Sequence, residues 1–319
     1  MQKRSKGISA AFISALFLGL APVFGKQAIQ AGLAPFAVVA FRTAGAALLL
    51  LLVMLFFFRR YLYIYPAGLL ICLLAGVING TGSLFYYSAL GRLDASLGQL
   101  LYALYPLFLV IWLSFDRQAP SRITFLRLAL ALGAVILLSQ SESQNVDWIG
   151  ILQMLVASAL YALHLPINQH VLYDMPAPTV TLYTLIAMSL VVVPAYFFTD
   201  PISLPALSAI GIPLIGLTLV TFFSRLTLFL GVKHIGGLQT AILGLSELLV
   251  TVFFAHLWLN ERLSSFQWIG AGLLLTSLGL VIIDRAGEPV ERKSGWLKRS
   301  GPTAPEELLP ADTTRAHPG

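Results

Sequence analysis

Ten long apolar stretches recur along this chain, at residues 8–31, 36–58, 66–90, 95–115, 123–139, 148–173, 179–198, 206–231, 236–259 and 266–283. A helix crosses the hydrocarbon core with about 20 mostly apolar residues. Inside lipid, every backbone N–H and C=O must be satisfied within the span. The pattern therefore predicts an all-α integral membrane protein with ten transmembrane helices and no room for a sizeable soluble domain. Composition agrees, with 58% hydrophobic and 11% charged residues and a mean hydropathy of +0.85. The stretches are separated by turn and charge signals: "GLAP" from Gly32, "FRRY" around Arg59, "DRQAPSR" from Asp116, "SESQNVD" before Trp148, "YDMPAP" before Thr179 and "TDPISLP" after Phe198. The first stretch outlasts a signal-peptide h-region and nine more follow it, so it reads as a retained span.

Charge sets an expected direction. With the N-terminus in the cytoplasm, the inner side collects fifteen basic residues, among them Lys3, Arg4, Lys6, Arg59, Arg60 and Lys233, while the outer side has Arg92 and Arg262. Under the positive-inside rule both termini are cytoplasmic and the membrane is the inner, plasma membrane. Because the Lys and Arg residues gather at segment ends, the net charge of +6 does not point to nucleic acid. The single cysteine, Cys72, offers no disulfide framework. No metal-ligand spacing and no Gly-rich phosphate loop occurs, so no cofactor or metal is expected and ATP-driven transport has no support.

The chain also repeats itself. "GISAAFISALFLGLAPVFGKQAIQAGLAP" from Gly7 aligns without a gap on "GILQMLVASALYALHLPINQHVLYDMPAP" from Gly150, which places Lys26 on Gln169 and Pro35 on Pro178. After a one-residue slip, "YPLF" from Tyr105 falls on "ELLV" from Glu247. Each copy holds five helices, an odd number, so the second enters the membrane in the opposite sense. Such inverted repeats give many secondary transporters two exchangeable halves around a midplane site. The expected division is 1–140 for the first copy, 147–284 for the second and 285–319 for a polar, Pro-rich, disordered cytoplasmic tail.

Two segments carry a resemblance. "FGKQAIQAGLAPFAVVAFR" in the first copy and "VKHIGGLQTAILGLSELLVTVFFAHLWLNERLSSFQWIGAGLLLTSLGLVI" in the second resemble the drug/metabolite transporter superfamily, specifically its EamA-type ten-helix transporters, over roughly residues 7–284. Lys26 and Arg42 stand on the family's basic positions, and Glu247 and Glu261 on its two acidic ones. Leu248 stands where a proline usually follows the first acid. Tyr105, followed by Pro106, stands where an acid can occur in the first copy. The resemblance implies a central cavity lined by the first four helices of each copy, and a secondary transporter exporting small organic metabolites such as amino acids.

Polar groups within the spans mark candidate sites. Glu247 lies about twelve residues from either end of its span, at a depth where an ionised carboxylate costs several kcal/mol unless solvated or paired. Thr240, Gly244, Glu247 and Thr251 fall on one face of that helix. Two readings stand for Glu247: a substrate or proton-coupling site, and a packing carboxylate held by hydroxyls or an arginine. Lys26, Arg42 and Arg225 are the basic residues well inside spans. Lys26 is expected to snorkel to the outer interface, Arg225 reads equally as a gate or a snorkelling residue, and Arg42 can hold a substrate carboxylate with its guanidinium fork.

Asn79, Ser83, Tyr86 and Tyr87 share one side of the third helix, Gln99, Tyr102 and Tyr105 recur on the fourth, and Ser158, Tyr161, His164 and Asn168 lie together on the sixth. The expected substrate-binding set is Arg42, Asn79, Tyr86, Gln99, Tyr102, Tyr161, His164, Asn168 and Glu247, with His164 considered as a proton relay to Glu247. Such a lining suits an amphipathic organic solute. The expected partners are that solute and membrane lipid, with the chain acting as a monomer. A membrane-embedded enzyme or lipid-handling protein, or a scaffold, is the competing reading. An enzyme calls for a close acid, histidine and nucleophile, and the polar residues are instead scattered.

Overall fold

The computed structural model describes residues 2–114, 147–199, 207–244 and 246–285, with Leu126, Ala129, Leu130 and 133–137. The helices are α1 (Gln2–Gln30), α2 (Pro35–Phe57), α3 (Pro66–Arg92), α4 (Ala95–Tyr102), α5 (Tyr105–Ser114), α6 (Trp148–Asp174), α7 (Ala177–Thr199), α8 (Leu207–Ile235), α9 (Gly237–Gly244), α10 (Ser246–Leu259) and α11 (Ser265–Arg285), with a 3₁₀ turn at Arg59–Leu62. Among the described residues eight helices are long and apolar enough to cross a membrane. α4 with α5 makes one of these spans and α9 with α10 another. Most of the expected fifth span, Asp116 and the tail from 286 onward lie outside the described residues.

The turn signals act as local chemistry requires. At "GLAP", Gly32 takes φ 96°, Leu33 N–H donates to Ala28 C=O at 3.1 Å and Gly32 N–H to Ile29 C=O at 2.9 Å. This is a Schellman ending, in which a left-handed residue satisfies the last carbonyls. Pro35 then opens α2, and Pro66 opens α3, where the missing N–H is no loss. Asp147 caps α6 by accepting from Gly150 N–H at 2.9 Å.

Contacts between the two copies form a matched set. α1 packs on α8 as α6 packs on α3; α1 packs on α10 as α6 packs on α5; α2 packs on α8 as α7 packs on α3; and α2 packs on α7. Exchanging the copies maps this list onto itself, so the halves interleave rather than lie side by side. One of these contacts needs a glycine. A Cβ on Gly19 of α1 would sit 2.5 Å from the Glu247 carbonyl oxygen, and Thr251 Oγ1 donates to Gly19 C=O at 2.7 Å. Close backbone approach at a small residue is how helices associate in lipid, and here it turns the Glu247 side of α10 inward. Large apolar side chains such as Phe56, Leu70, Phe198, Ile212, Leu249 and Phe253 are exposed, as a lipid-facing surface requires.

Candidate functional site

Five tyrosines from four helices converge at the centre of the bundle. Tyr86 and Tyr87 come from α3, Tyr102 from α4, Tyr105 from α5 and Tyr161 from α6. The Tyr86 and Tyr102 rings meet edge to face at 4.8 Å and Tyr105 and Tyr161 at 5.0 Å and 90°, while Tyr102 and Tyr161 are tilted at 45° with centroids 5.2 Å apart. Edge-to-face pairs of this kind contribute about 0.5–1.5 kcal/mol each.

Pro106 is what delivers two of these rings. It has no N–H for the Tyr102 carbonyl four residues earlier, and the chain turns at Ala103 and Leu104 between α4 and α5. The freed carbonyl accepts from Ser158 Oγ of α6 at 2.8 Å. In lipid such a re-satisfied carbonyl is the condition for a break. Tyr105 Oη then donates to Ala241 C=O of α9 at 3.0 Å, and Gly244 leaves room for it, since a Cβ there would collide with that hydroxyl.

Three buried ionisable side chains face the rings. Arg42 donates to Thr221 Oγ1 of α8 and to Ser83 Oγ of α3, both at 3.3 Å, and its guanidinium lies 4.7 Å from the Tyr87 ring centroid. Arg225 of α8 lies 5.5 Å from the Tyr161 centroid, with Nη1 unpartnered. Glu247 is 2% exposed with Oε1 unpartnered. Gln99 approaches the Glu247 carboxylate and accepts from Tyr86 Oη at 3.2 Å. Among the described residues the salt bridge present is Arg92–Asp147 at 3.2 Å, at the end of the bundle. The central charges are therefore not paired with one another.

Arg42, Asn79, Tyr86, Gln99, Tyr102, Tyr161 and Glu247 all line one cavity of about 40 Å³. Ser83 and Tyr87, which share the third-helix stripe with Asn79 and Tyr86, and Arg225 line it too, although the expected substrate-binding set left them out. The available signal for Arg225 was an arginine one turn from Thr221 inside a span. His164 and Asn168 do not line the cavity; both are fully buried on α6. His164 packs its ring against Tyr161 at 4.7 Å and bonds the Tyr161 carbonyl through Nδ1. Lys26 departs from the snorkelling expectation. It is 9% exposed and donates to Leu90 C=O at 2.9 Å and Leu93 C=O at 2.7 Å. Those carbonyls end α3 and have no intrahelical partner, which makes the protein interior the better place for the ammonium. Among the described residues no group of three His, Cys, Asp or Glu side chains is arranged to hold a metal.

The chain is similar to known proteins across both copies. The EamA-like transporter family matches residues 5–140 and again 148–283. The uncharacterized transporter YcbK of Bacillus subtilis (strain 168) is 24% identical over 196 residues, 58% of this chain and 63% of that protein, so the match spans less than two thirds of the relative. A solved crystal structure of a protein superposes with a TM-score of 0.63 over 87% of this chain and 97% of the other, at 15% identity, a likeness of fold alone. With most of its length matched in two consecutive copies, this multi-pass membrane protein belongs to the EamA-like transporter family.

Proposed function

We propose that the protein is a secondary transporter exporting small amphipathic solutes that bear a carboxylate, amino acids and their relatives among them, by alternating access. The observation that carries this reading is the unpaired charge around one central cavity. Two guanidinium groups and one carboxylate are buried there, with Arg225 Nη1 and Glu247 Oε1 unpartnered. Uncompensated charge in a low-dielectric interior is strongly unfavourable, and a zwitterion compensates both signs. Its carboxylate faces the arginine forks, its ammonium faces Glu247, and its apolar body packs among the tyrosine rings.

At about 40 Å³ the cavity holds little more than a water molecule, against about 300–1,000 Å³ for sites that enclose small ligands. Binding therefore spreads the tyrosines, and the present arrangement corresponds to a closed step of the cycle. The reading includes ten spans in two inverted five-helix copies, 1–140 and 147–284, a cytoplasmic tail at 285–319, both termini in the cytoplasm, the inner membrane as location and a monomer as the working unit. Glu247 is the proton carrier in it, since a carboxyl that binds a proton when the ammonium leaves is itself uncharged on the return step.

A panel of amino acids, aromatic compounds, organic cations and sugars tests this by thermal unfolding in detergent. A solute at 100 times its Kd stabilises the folded state by about 2.7 kcal/mol, and zwitterions are expected to give the largest shift. The best solute is then followed into proteoliposomes. Glu247→Gln is expected to retain exchange and to lose the response to a pH gradient. No shift from any carboxylate-bearing solute sinks the substrate class, and gradient-driven flux unchanged in Glu247→Gln removes the proton role.

A further inference from the structure

Beyond the cavity, α6 carries two fully buried polar side chains whose hydrogen bonding the closed structure leaves incomplete. His164 Nε2 and Asn168 Nδ2 have no hydrogen-bond partner, and both side chains are fully buried. They lie one helical turn apart on the face that holds Tyr161. At 1.5 Å per residue Asn168 lies about 10 Å beyond Tyr161, toward the end of α6 where Gln169 Oε1 accepts from Gly237 N–H at 2.7 Å.

The protonation of the pair follows from its partners. A carbonyl only accepts, so the His164 Nδ1 that bonds Tyr161 C=O carries the hydrogen, and in the neutral ring Nε2 is a bare acceptor. Thr184 Oγ1 of α7 donates to Asn168 Oδ1 at 3.0 Å, which leaves the amide N–H₂ as a free donor. One turn of α6 thus offers an acceptor followed by a donor, both without protein partners. Cys72 of α3 lies beside Thr184, in the same layer.

The opposite end of the bundle is built otherwise. There the Glu261 carboxylate accepts from Ala95 N–H, Ser96 N–H and Ser96 Oγ, each at 2.8 Å, and Lys26 holds the α3 carbonyls. Those bonds pin that side, where half-buried Gln153 of α6 also leaves Oε1 without a partner, whereas the two fully buried side chains with orphaned atoms on α6 lie beyond the cavity on the other side.

We propose that His164 and Asn168 form a transit subsite between the central cavity and the Gln169 end, where a solute group that both donates and accepts hydrogen bonds, an ammonium-and-carboxylate head or a hydroxyl, is held with water while the route on that side is open. The inference rests on the transport reading above, and adds a second polar step that the cavity does not contain. The orphaned atoms are satisfied when the route is hydrated and left bare when it closes, so they favour opening on this side.

Cys72 is the sole cysteine and a native reporter of the layer, so the experiment needs no transported solute and reads out even where the zwitterion assignment fails. The full chain in proteoliposomes is treated with 2-aminoethyl methanethiosulfonate, a small ammonium-bearing thiol reagent, and modification of Cys72 is timed by mass spectrometry. The expected result is measurable modification in the wild type, slowed at least tenfold in the double variant His164→Phe with Asn168→Leu, with thermal stability equal to or above the wild type. Asn168→Ser, which keeps a donor, is expected to modify at a rate between the two. It carries the comparison if the double variant misfolds. A wild-type Cys72 that stays inert in the folded protein overturns the proposal. So does a double variant, or Asn168→Ser in its place, that modifies at the wild-type rate, which makes the orphaned atoms static defects of packing.

Discussion

Glu261 offers the sharpest perturbation, because one side chain from the connection after α10 closes the start of α4, 165 residues away. Its carboxylate accepts two backbone N–H groups and the Ser96 hydroxyl, all at 2.8 Å. Asn260, with φ 55°, ends α10 in the left-handed turn that aims Glu261 across. Asp94, at the capping position of α4, makes no side-chain cap, so Glu261 performs that function from the other copy. Losing a cap costs about 1 kcal/mol, and hydrogen bonds to a charged group about 1.5–3 kcal/mol each. Glu261 is only partly buried, so water recovers much of this, and about 2–3 kcal/mol remains for Glu261→Ala.

At 1.4 kcal/mol per tenfold that loss raises the population opened at this end by about 30–150-fold. The assay is the rate at which a membrane-impermeant maleimide modifies Ala95→Cys in a Cys72→Ala background, since Ala95 is fully buried when the end is closed. Glu261→Gln, which keeps one acceptor oxygen, is expected to fall about midway on the logarithmic scale. A labelling rate and an unfolding temperature both unchanged in Glu261→Ala would refute the reasoning.

Other perturbations follow from single contacts. Gly244→Ala brings a Cβ into the Tyr105 hydroxyl and should destabilise by about 1–3 kcal/mol. Adding Tyr105→Phe relieves the collision while giving up the bond to Ala241, so the double variant should be more stable than Gly244→Ala alone, a non-additive cycle read by thermal unfolding. Ser158→Ala leaves the Tyr102 carbonyl without its donor and is expected to cost about 1–3 kcal/mol. Serine to threonine, which keeps the hydroxyl, is the control. Asp147 is held below the usual aspartate range first by the Gly150 N–H and further by Arg92. Its folded value is thus depressed, so its contribution is complete above about pH 4 and fades as pH falls through the folded value. Asp147→Ala should flatten that acid limb of the pH-stability curve.

Hydropathy made the spans legible because membrane thickness imposes their length, and the turn residues made their ends legible because Gly32, Pro35 and Pro66 act within a few bonds of themselves. The central site was partly legible for a related reason. A polar group at mid-depth must face the interior, so Arg42, Gln99, Tyr102, Tyr161 and Glu247 could be placed by exclusion from lipid. Tyr105, the counterpart of Glu247 in the other copy, reaches across to the span that carries Glu247. Rotation of α8 was not legible, because it is set by how α1 and α2 pack on it, and so Arg225 read equally as a gate and as an interfacial residue. Lys26 and Glu261 escaped for the same cause. Their partners are helix-end backbone groups 64 and 165 residues away, which no side-chain pattern announces.

The case of His164 and Asn168 separates two kinds of information. Their spacing from Tyr161 puts all three on one face of α6, and the structure keeps that face intact. A helical stripe fixes direction around the axis but says nothing of where along the axis the neighbouring helices close. Here closure falls between Tyr161, which lines the cavity, and His164, one turn further on. What reads in sequence as one polar lining is in space a cavity followed by a sealed stretch of the same lining. A protein that alternates between two openings must have such stretches, because each residue of its route spends part of the cycle shut away from both water and solute. On the transport reading proposed above, the unsatisfied His164 and Asn168 atoms on α6 are what such a stretch leaves in a closed structure.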